Sequence, residues 1–113
     1  MGDERRLFER FSARFPAKFK HSRNDYGTDI FLRDASASGV RIVTRERMFL
    51  DDPVAIEVEV PDGGSPLVLQ GKVSWTKSAN AAMWDVGLQF PKINFMQMQR
   101  LFKFSLIASA PPN

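Results

Sequence analysis

The regular alternation of apolar and polar residues in six short segments is the feature that most limits how this chain can fold. The first segment covers residues 11–20, where Phe11, Ala13 and Phe15 begin a run in which every second side chain is apolar. That period places one face of a β-strand in a core and leaves the other in water. Five further segments show the same period between turn-forming residues: 28–33, 40–44, 54–60, 67–76 and 84–90. Short strands that must protect their edges predict an all-β fold, a six-stranded antiparallel β-barrel.

Single residues predict local departures from a regular sheet. Pro16 lacks a backbone N–H, so it belongs at an edge or a bulge of the first strand. Gly71 lies inside the fifth segment and favours a bend or a bulge there. Met48, Phe49 and Leu50 are apolar residues in the connection between the third and fourth strands, and we expect them to anchor that connection to the core.

The hydrophobic period changes after Pro91. Asn94 can cap a helix, with Gln97 three residues later. Apolar residues then recur at helical spacing: Phe95, Met98, Leu101, Phe102 and Leu106. This pattern predicts a C-terminal α-helix that lays an apolar stripe on the barrel. Met96, Met98 and Phe104 would also fit a groove for a cofactor or a partner, although packing is the commoner use of such side chains.

Length and charge set further bounds. A chain of 113 residues supports one core, so we assign 1–10 as a flexible N-terminal arm, 11–108 as the barrel domain with its helix, and 109–113 as a tail. The formal net charge is +3, and basic residues concentrate near the N-terminus: Arg5, Arg6, Arg10, Arg14, Lys18 and Lys20. Such a cluster suggests an anionic partner, although a solvated charged face would give the same composition.

Two observations bear on location. No apolar run approaches the roughly 20 residues that span a bilayer, so no membrane span is expected. The pair Arg5-Arg6 only faintly resembles an export signal, because Arg14, Pro16 and Lys18 interrupt the segment where a continuous apolar stretch should follow. We therefore expect a cytoplasmic protein, and the absence of cysteine fits a reducing compartment.

Catalytic groups are scarce. His21 is the only histidine and falls in a predicted loop. Glu57 and Glu59 share one strand face and could act as paired carboxylates, but the alternation favours the solvent face of a sheet for both. The chain has no phosphate-binding glycine loop and no metal-ligand spacing. We expect a protein that is not an enzyme and has no metal and no cofactor.

Two short motifs carry binding chemistry. Arg6-x-x-x-Arg10 places two guanidinium groups on one side of a helical turn. Asp34-x-Ser36-x-x-Gly39 predicts a turn, between the second and third strands, with exposed hydrogen-bonding groups. An arginine fork matches O6 and N7 of guanine, or a phosphate, and a carboxylate can accept hydrogen bonds from guanine N1–H and N2–H. A ligand with both guanines and phosphates would use all of these groups.

With these motifs the chain resembles the PilZ domains, bacterial receptors for cyclic di-GMP, over nearly its whole length. The arginine motif is similar to the family's N-terminal motif and the aspartate motif to its second one, while 71–75 and 86–90 resemble its later strands. The resemblance implies a six-stranded antiparallel barrel with a C-terminal helix, which agrees with the alternation. One departure is Asp51-Asp52, which stands where the family commonly has a glycine, away from both binding motifs.

The resemblance also implies a role for each matched residue. Arg6 and Arg10 would bind phosphate and guanine. Asp34 and Ser36 would hydrogen-bond the ligand, and Gly39 would leave room for it.

Two questions about the arginines stay open. Arg10-x-x-x-Arg14 is an overlapping copy of the first motif, and we prefer Arg6 with Arg10 because the strand period begins at Phe11 and places Arg14 in the first strand. Arg5 directly precedes the motif, and in the family an arginine there implies a stacked ligand pair. One or two ligands could therefore bind each chain.

We predict a single-domain cyclic di-GMP receptor whose arginine arm closes on the ligand and changes a surface for a downstream protein partner. One alternative is a PilZ-fold interaction module that needs no nucleotide and uses the helix stripe at Met98, Leu101 and Phe102. Another is single-stranded nucleic-acid binding, since phenylalanines such as Phe11 and Phe15 alternate with basic residues. Those rings share a face that looks buried, so nucleic acid is not an expected partner.

Overall fold

The computed structural model describes residues 9–92 and 95–109, with the side chains of the last helix described through residue 104. Six strands precede one helix: β1 (Phe11–Phe19), β2 (Ile30–Ser36), β3 (Gly39–Thr44), β4 (Pro53–Val58), β5 (Leu67–Asn80), β6 (Met83–Gln89) and α1 (Phe95–Ser109). The predicted six strands and C-terminal helix are confirmed.

All neighbouring strands run antiparallel, and their pairing returns to its starting point. The order is β1-β2-β3-β6-β5-β4, and β1 also pairs with β4 through Ala17 and Val58. Every strand therefore has two neighbours, and the sheet is a closed barrel. Closure removes the unpaired edges that would otherwise invite association with other chains.

The barrel core follows the alternation read from the sequence. In β1, Ala13, Phe15 and Ala17 are buried, whereas Arg14 and Pro16 between them are exposed. The largest fully buried side chains are mostly aliphatic and come from the five strands β2 to β6 and from the helix: Ile30, Leu32, Ile42, Ile56, Leu69, Met98, Leu101, Val40, Val58, Val73, Val86 and Thr44. Burial of this apolar surface is the main stabilising contribution to the fold.

Helix α1 packs on the outside of the barrel next to β1 and covers part of the core. Met98 and Leu101 are completely buried, and the ring of Phe102 meets Phe11 edge-to-face at a centroid distance of 5.1 Å. The expected apolar stripe is therefore a packing surface. Met96, on another side of the helix, is 85% exposed, so it does not form a groove with Met98. The predicted cap at Asn94 lies outside the described residues.

A clamp of hydrogen bonds joins α1 to the loop between β4 and β5. Arg100 donates through Nη2 to Asp62 Oδ1 at 2.7 Å and to the Ser65 carbonyl at 2.6 Å. The backbone N–H of Gly64 also donates to Asp62, at 3.0 Å. Chiefly because of the Arg100 hydrogen bond, the pKa of Asp62 falls to about 2.

Within the described residues, no helix has the length and apolar character that a membrane crossing requires.

The turn predicted over Asp34–Gly39 is shorter in the structure. Strand β2 continues through Ser36, and Ser36 pairs with Gly39, so only Ala37 and Ser38 form the turn. The prediction was wrong because small polar residues favour turns locally, whereas here cross-strand pairing on both sides extends β2. Asp34 is therefore a strand residue, opposite Arg41 on β3.

The connection between β3 and β4 places only part of its apolar set in the core. Met48 is buried, but Phe49 and Leu50 are 59% and 62% exposed, so the expectation for these two was wrong. Backbone hydrogen bonds from Asp51 N–H to the Val73 carbonyl hold this segment against β5. Asp51 has a φ of 68°, the left-handed conformation that glycine adopts most easily, so a non-glycine residue fills this turn.

Strand β5 is longer than predicted and carries its irregularity later. It extends to Asn80, so only two residues separate it from β6. The register with β6 shifts twice, between Val73 and Trp75 and again between Ser78 and Asn80, and not at Gly71. At the first shift Ser74 is the extra residue on β5, and Trp75 pairs with Gly87. The Trp75 ring lies over Gly87, because a Cβ on that glycine would be 2.1 Å from Trp75 Nε1. At Gly71 itself the backbone passes too close to Gln89 for a side chain.

Candidate functional site

A β-bulge in β2 places the predicted site on the outer wall of the barrel. Leu32 pairs with Ile42 and Asp34 pairs with Arg41, so Arg33 is an extra residue on β2. Leu32 and Ala35 are both buried. Without the bulge, strict alternation would turn Asp34 towards the core, on the same side as Leu32. The inserted residue instead turns the Asp34 carboxylate outward, a use of bulges that recurs near functional sites.

The β1–β2 pairing is irregular at the same place. Ser12 pairs with Asp34 and Phe15 pairs with Leu32, so two residues of β1 lie opposite the single residue Arg33 of β2. The irregularities in the β1–β2 and β2–β3 pairings therefore bring Arg14 of β1 and Arg33 of β2 close to Asp34.

The Asp34 carboxylate lies between two arginines. Arg10, just before β1, donates from Nη1 to Oδ1 at 2.8 Å. Arg41, on β3, donates from Nε to Oδ2 at 2.6 Å. The two contacts differ in exposure, because the Arg10 side chain is 49% exposed and the Arg41 side chain 34%. An exposed ion pair of the Arg10 kind contributes only about 0.2–1 kcal/mol, so another ligand can replace it.

Arg41 also reaches a second carboxylate on the neighbouring strand β6. Its Nη1 donates to Asp85 Oδ2 at 3.1 Å, with a longer contact to Oδ1 at 3.4 Å. The pKa of Arg41 is raised, first by the hydrogen bond to Asp34 and further by the charges of both carboxylates, against the opposing effect of burial. The guanidinium of Arg41 thus joins β2, β3 and β6 on the outer wall.

Arg10, Asp34 and Arg41 border a shallow depression of about 270 Å³. Among the described residues that line it, the charged ones are four arginines and one carboxylate: Arg10, Arg14, Arg33, Arg41 and Asp34. The excess of guanidinium groups gives the depression a positive potential that favours anions. Its single carboxylate offers acceptors to a group that carries N–H donors.

The other predicted site residues have different surroundings. The Ser36 side chain is buried, and its Oγ lies 3.2 Å from Ser38 Oγ. At Gly39, a Cβ would lie 2.2 Å from the carbonyl oxygen of Leu88, so this glycine allows β3 and β6 to approach closely. Arg5 and Arg6 lie outside the described residues. Of the six predicted residues, the structure therefore brings Arg10 and Asp34 together.

Sequence reasoning missed two residues of this charged group, Arg41 and Asp85. Each occupies a polar position of an alternating strand, where an exposed side chain without a partner is the ordinary expectation. The signal that was present is charge: an arginine and an aspartate on the same outward face of β3 and β6 form a cross-strand pair when the strands are neighbours. Only the strand order, with β6 beside β3, brings them together.

A larger cavity lies elsewhere on the barrel. It measures about 630 Å³ and is lined by parts of β4, β5 and the end of β6, including Gly71 and Phe90. Among the described residues that line it, Lys72 is the only charged one. The smaller depression is the better candidate for an anionic ligand, because it concentrates arginines around a carboxylate.

The groups considered for catalysis have ordinary surface contacts. His21 is exposed in the β1–β2 connection. Glu57 accepts a hydrogen bond from the Tyr26 hydroxyl at 3.0 Å and lies 3.8 Å from Lys18 Nζ. Burial, and then Glu57, raise the pKa of Tyr26. Among the residues that the structure describes, no group of three or more His, Cys, Asp or Glu side chains could hold a metal ion.

A family model described as PilZ domain matches residues 4–106, which is nearly the whole chain. A search of curated proteins found no match.

Proposed function

This chain belongs to the PilZ domain family, and on that premise we propose that it is a receptor for cyclic di-GMP. The ligand would bind at the arginine-lined depression on the outer wall of the barrel. Arg10 and Asp34 are the described residues that would contact it, and Arg5 and Arg6 would contribute from the segment that precedes β1.

The observation that carries this proposal is the 2.8 Å contact between Arg10 and Asp34. These residues belong to two motifs that are 24 positions apart in the chain. Their contact supports a single site assembled from both motifs. Cyclic di-GMP has two phosphates and two guanines, which match the arginines and the carboxylate of that site.

Binding would proceed by exchange of partners at Asp34. The ligand's guanine N1–H and N2–H donate to the carboxylate and displace Arg10, whose own pairing is exposed and weak. Arg10 is then free to bind a phosphate or the O6 and N7 of a guanine. Closure of the arginine-rich segment over the ligand changes the outer surface of the barrel, and a downstream protein would recognise that change.

We infer that the protein acts by binding and not by catalysis. The chemistry of the depression is that of recognition, with arginines and one carboxylate. The alternative, a PilZ-fold interaction module that needs no nucleotide, is not favoured. Two residues of the helix stripe that would bind its partner, Met98 and Leu101, are buried against the barrel. Nucleic-acid binding is not favoured either, because Phe15 is buried and Phe11 packs on Phe102.

Calorimetric titration with cyclic di-GMP tests the proposal. We expect saturable binding, and the absence of binding at about 100 μM ligand would overturn it. Arg10→Ala and Asp34→Ala should each weaken binding at least about 10-fold, because each removes charge-assisted hydrogen bonds to the ligand. Arg45→Ala, which removes an exposed arginine of the β3–β4 connection, is the matched control and should bind like the parent chain.

The same titration gives the stoichiometry. A ratio near two ligands per chain would support the stacked pair that Arg5 implies, and Arg5→Ala should then bring the ratio near one. Arg6→Ala and Arg14→Ala, compared in the same assay, show which arginine works with Arg10. We expect the larger loss for Arg6→Ala.

A further inference from the structure

The guanidinium of Arg41 is shared between two carboxylates on two different strands. On one side it donates to Asp34 on β2 at 2.6 Å, and on the other to Asp85 on β6 at 3.1 Å. Strand β3 lies between these two strands, with Arg41 paired to both Asp34 and Gly87 across the sheet. The planar arrangement of N–H donors on arginine suits such a bridge, because each donor has a fixed direction.

The two ends of this bridge differ in their access to solvent. The Asp85 side chain is only 10% exposed, whereas Asp34 is 18% exposed and borders the depression. Asp85 is not among the described residues that line the depression, so we expect it to act on a ligand there through Arg41. A shielded carboxylate that pairs with an arginine fixes that arginine more firmly than an exposed one does.

Asp34 itself has one firmly held oxygen and one exchangeable oxygen. Oδ2 is bound by Arg41, which Asp85 holds in turn, and Oδ1 is bound by the exposed Arg10. When Arg10 leaves, the orientation of the carboxylate plane still depends on Arg41. Two parallel hydrogen bonds from guanine N1–H and N2–H require a carboxylate plane in a definite orientation.

We propose that Arg41 and Asp85 are positioning residues that orient the Asp34 carboxylate for the Watson–Crick edge of guanine. This inference rests on the proposed function, since the ligand is the same. It goes further because it gives Arg41 and Asp85 a role in the preference for guanine over other bases. Arg41 acts through Asp34, and Asp85 acts through Arg41.

Geometry and charge make opposite predictions for Asp85→Asn. If Asp85 acted only through its negative charge, its removal would make the region more positive and strengthen binding of an anion with two phosphates. If Asp85 orients Asp34 through Arg41, its removal loosens the carboxylate and weakens binding of guanine. We expect about 10-fold weaker binding of cyclic di-GMP, the usual scale for a charge-assisted hydrogen bond.

A ligand pair of equal charge separates positioning from general damage. In cyclic di-IMP, hypoxanthine lacks the exocyclic N2–H₂ of guanine and is otherwise the same. The parent chain should prefer cyclic di-GMP by about 10-fold or more, because Asp34 accepts a hydrogen bond from that group. In Asp85→Asn this preference should fall to about 2-fold, while a loss of stability alone would weaken both ligands together.

A second variant tests the same positioning role in case Asp85→Asn does not fold. Arg41→Lys keeps the positive charge but has no planar fork to bridge two carboxylates, so the base preference should fall in the same way. Arg100→Lys is the matched control, because Arg100 makes a similar paired contact with Asp62 at the helix clamp. This control should keep the base preference of the parent chain.

The bridge can also be observed without ligand. In a ¹H–¹⁵N NMR spectrum the Arg41 Nε–H signal should exchange slowly with water in the parent chain and faster in Asp85→Asn. If Asp85→Asn binds cyclic di-GMP as tightly as the parent or more tightly, or keeps the full base preference, the positioning role is wrong although the proposed function stands. A parent chain that binds neither ligand would overturn the function itself and, with it, this role.

Discussion

At the scale of single residues, the outward position of Asp34 depends on one inserted residue. Arg33 is unpaired with β3, and this extra residue reverses the side to which Asp34 points. The carboxylate then meets Arg10 and Arg41. Deleting or regularising this bulge would turn a charged group towards the core, which is a costly change in a barrel of this size.

Gly39 has a structural role that the motif alone does not reveal. Its missing Cβ would lie 2.2 Å from the Leu88 carbonyl oxygen, a backbone atom that cannot move independently. We predict that Gly39→Ala lowers the free energy of unfolding by about 1–3 kcal/mol, the usual cost of overpacking. Urea denaturation measures this change.

The control for Gly39 is a glycine of the β4–β5 loop, away from both binding motifs. Gly63 has a φ of 75° and no atom near its missing Cβ. Gly63→Asn should change the stability by no more than about 0.5 kcal/mol, because asparagine tolerates the left-handed conformation. If Gly39→Ala were as stable as the parent chain but bound ligand poorly, Gly39 would serve the ligand rather than the barrel.

At the scale of elements, the alternation of apolar residues predicted the strands well because one face of each is buried. β1 and β6 lie within one residue of their expected limits. The errors fall where tertiary pairing overrides local preference. Asp34 and Ser36 favour a turn by themselves but pair within the sheet. Phe49 and Leu50 are exposed in the connection that bonds to β5 through the backbone of Asp51 and Asp52.

The candidate site was predictable only in part for a similar reason. Arg10 and Asp34 belong to recognisable motifs, and the structure brings them into contact. Arg41 and Asp85 belong to strands that are far apart in the chain, and their pairing depends on the barrel order that places β6 beside β3. No local pattern in the sequence encodes that neighbourhood.

The clamp between α1 and the β4–β5 loop should make part of the stability depend on pH. The pKa of Asp62 in the folded chain is about 2, below its ordinary value of 3.8. Its contribution is therefore fully present above that ordinary value and is lost as the pH falls through the folded pKa. Asp62→Asn should lower the Tm at about pH 6, and the difference should disappear as the pH approaches about 2.

Thermal unfolding of both chains across this pH range tests the clamp. Glu46→Gln is the control, because Glu46 is an exposed carboxylate in the β3–β4 connection. Its Tm should stay close to that of the parent chain near neutral pH. A Tm difference for Asp62→Asn that persists unchanged at low pH would show that the contact with Arg100 does not stabilise the fold through its charge.

At the scale of the whole molecule, the closed barrel carries the arginine-lined depression on its outer wall. The closed sheet fixes Asp34, Arg41 and Asp85 on three adjacent strands, and Arg10 approaches from the segment before β1. The helix covers another part of the core and uses its apolar face for packing. In the proposed function, recognition therefore belongs to the outer wall and stability to the interior.

The position of the ligand tests this account most directly. In ¹H–¹⁵N NMR spectra recorded during titration with cyclic di-GMP, we predict the largest shift changes at the amides of Arg10, Asp34 and Arg41, around the arginine-lined depression. The larger cavity near Gly71 and Phe90 should change little. The largest changes at that cavity, with unchanged signals around Asp34, would contradict the proposed site.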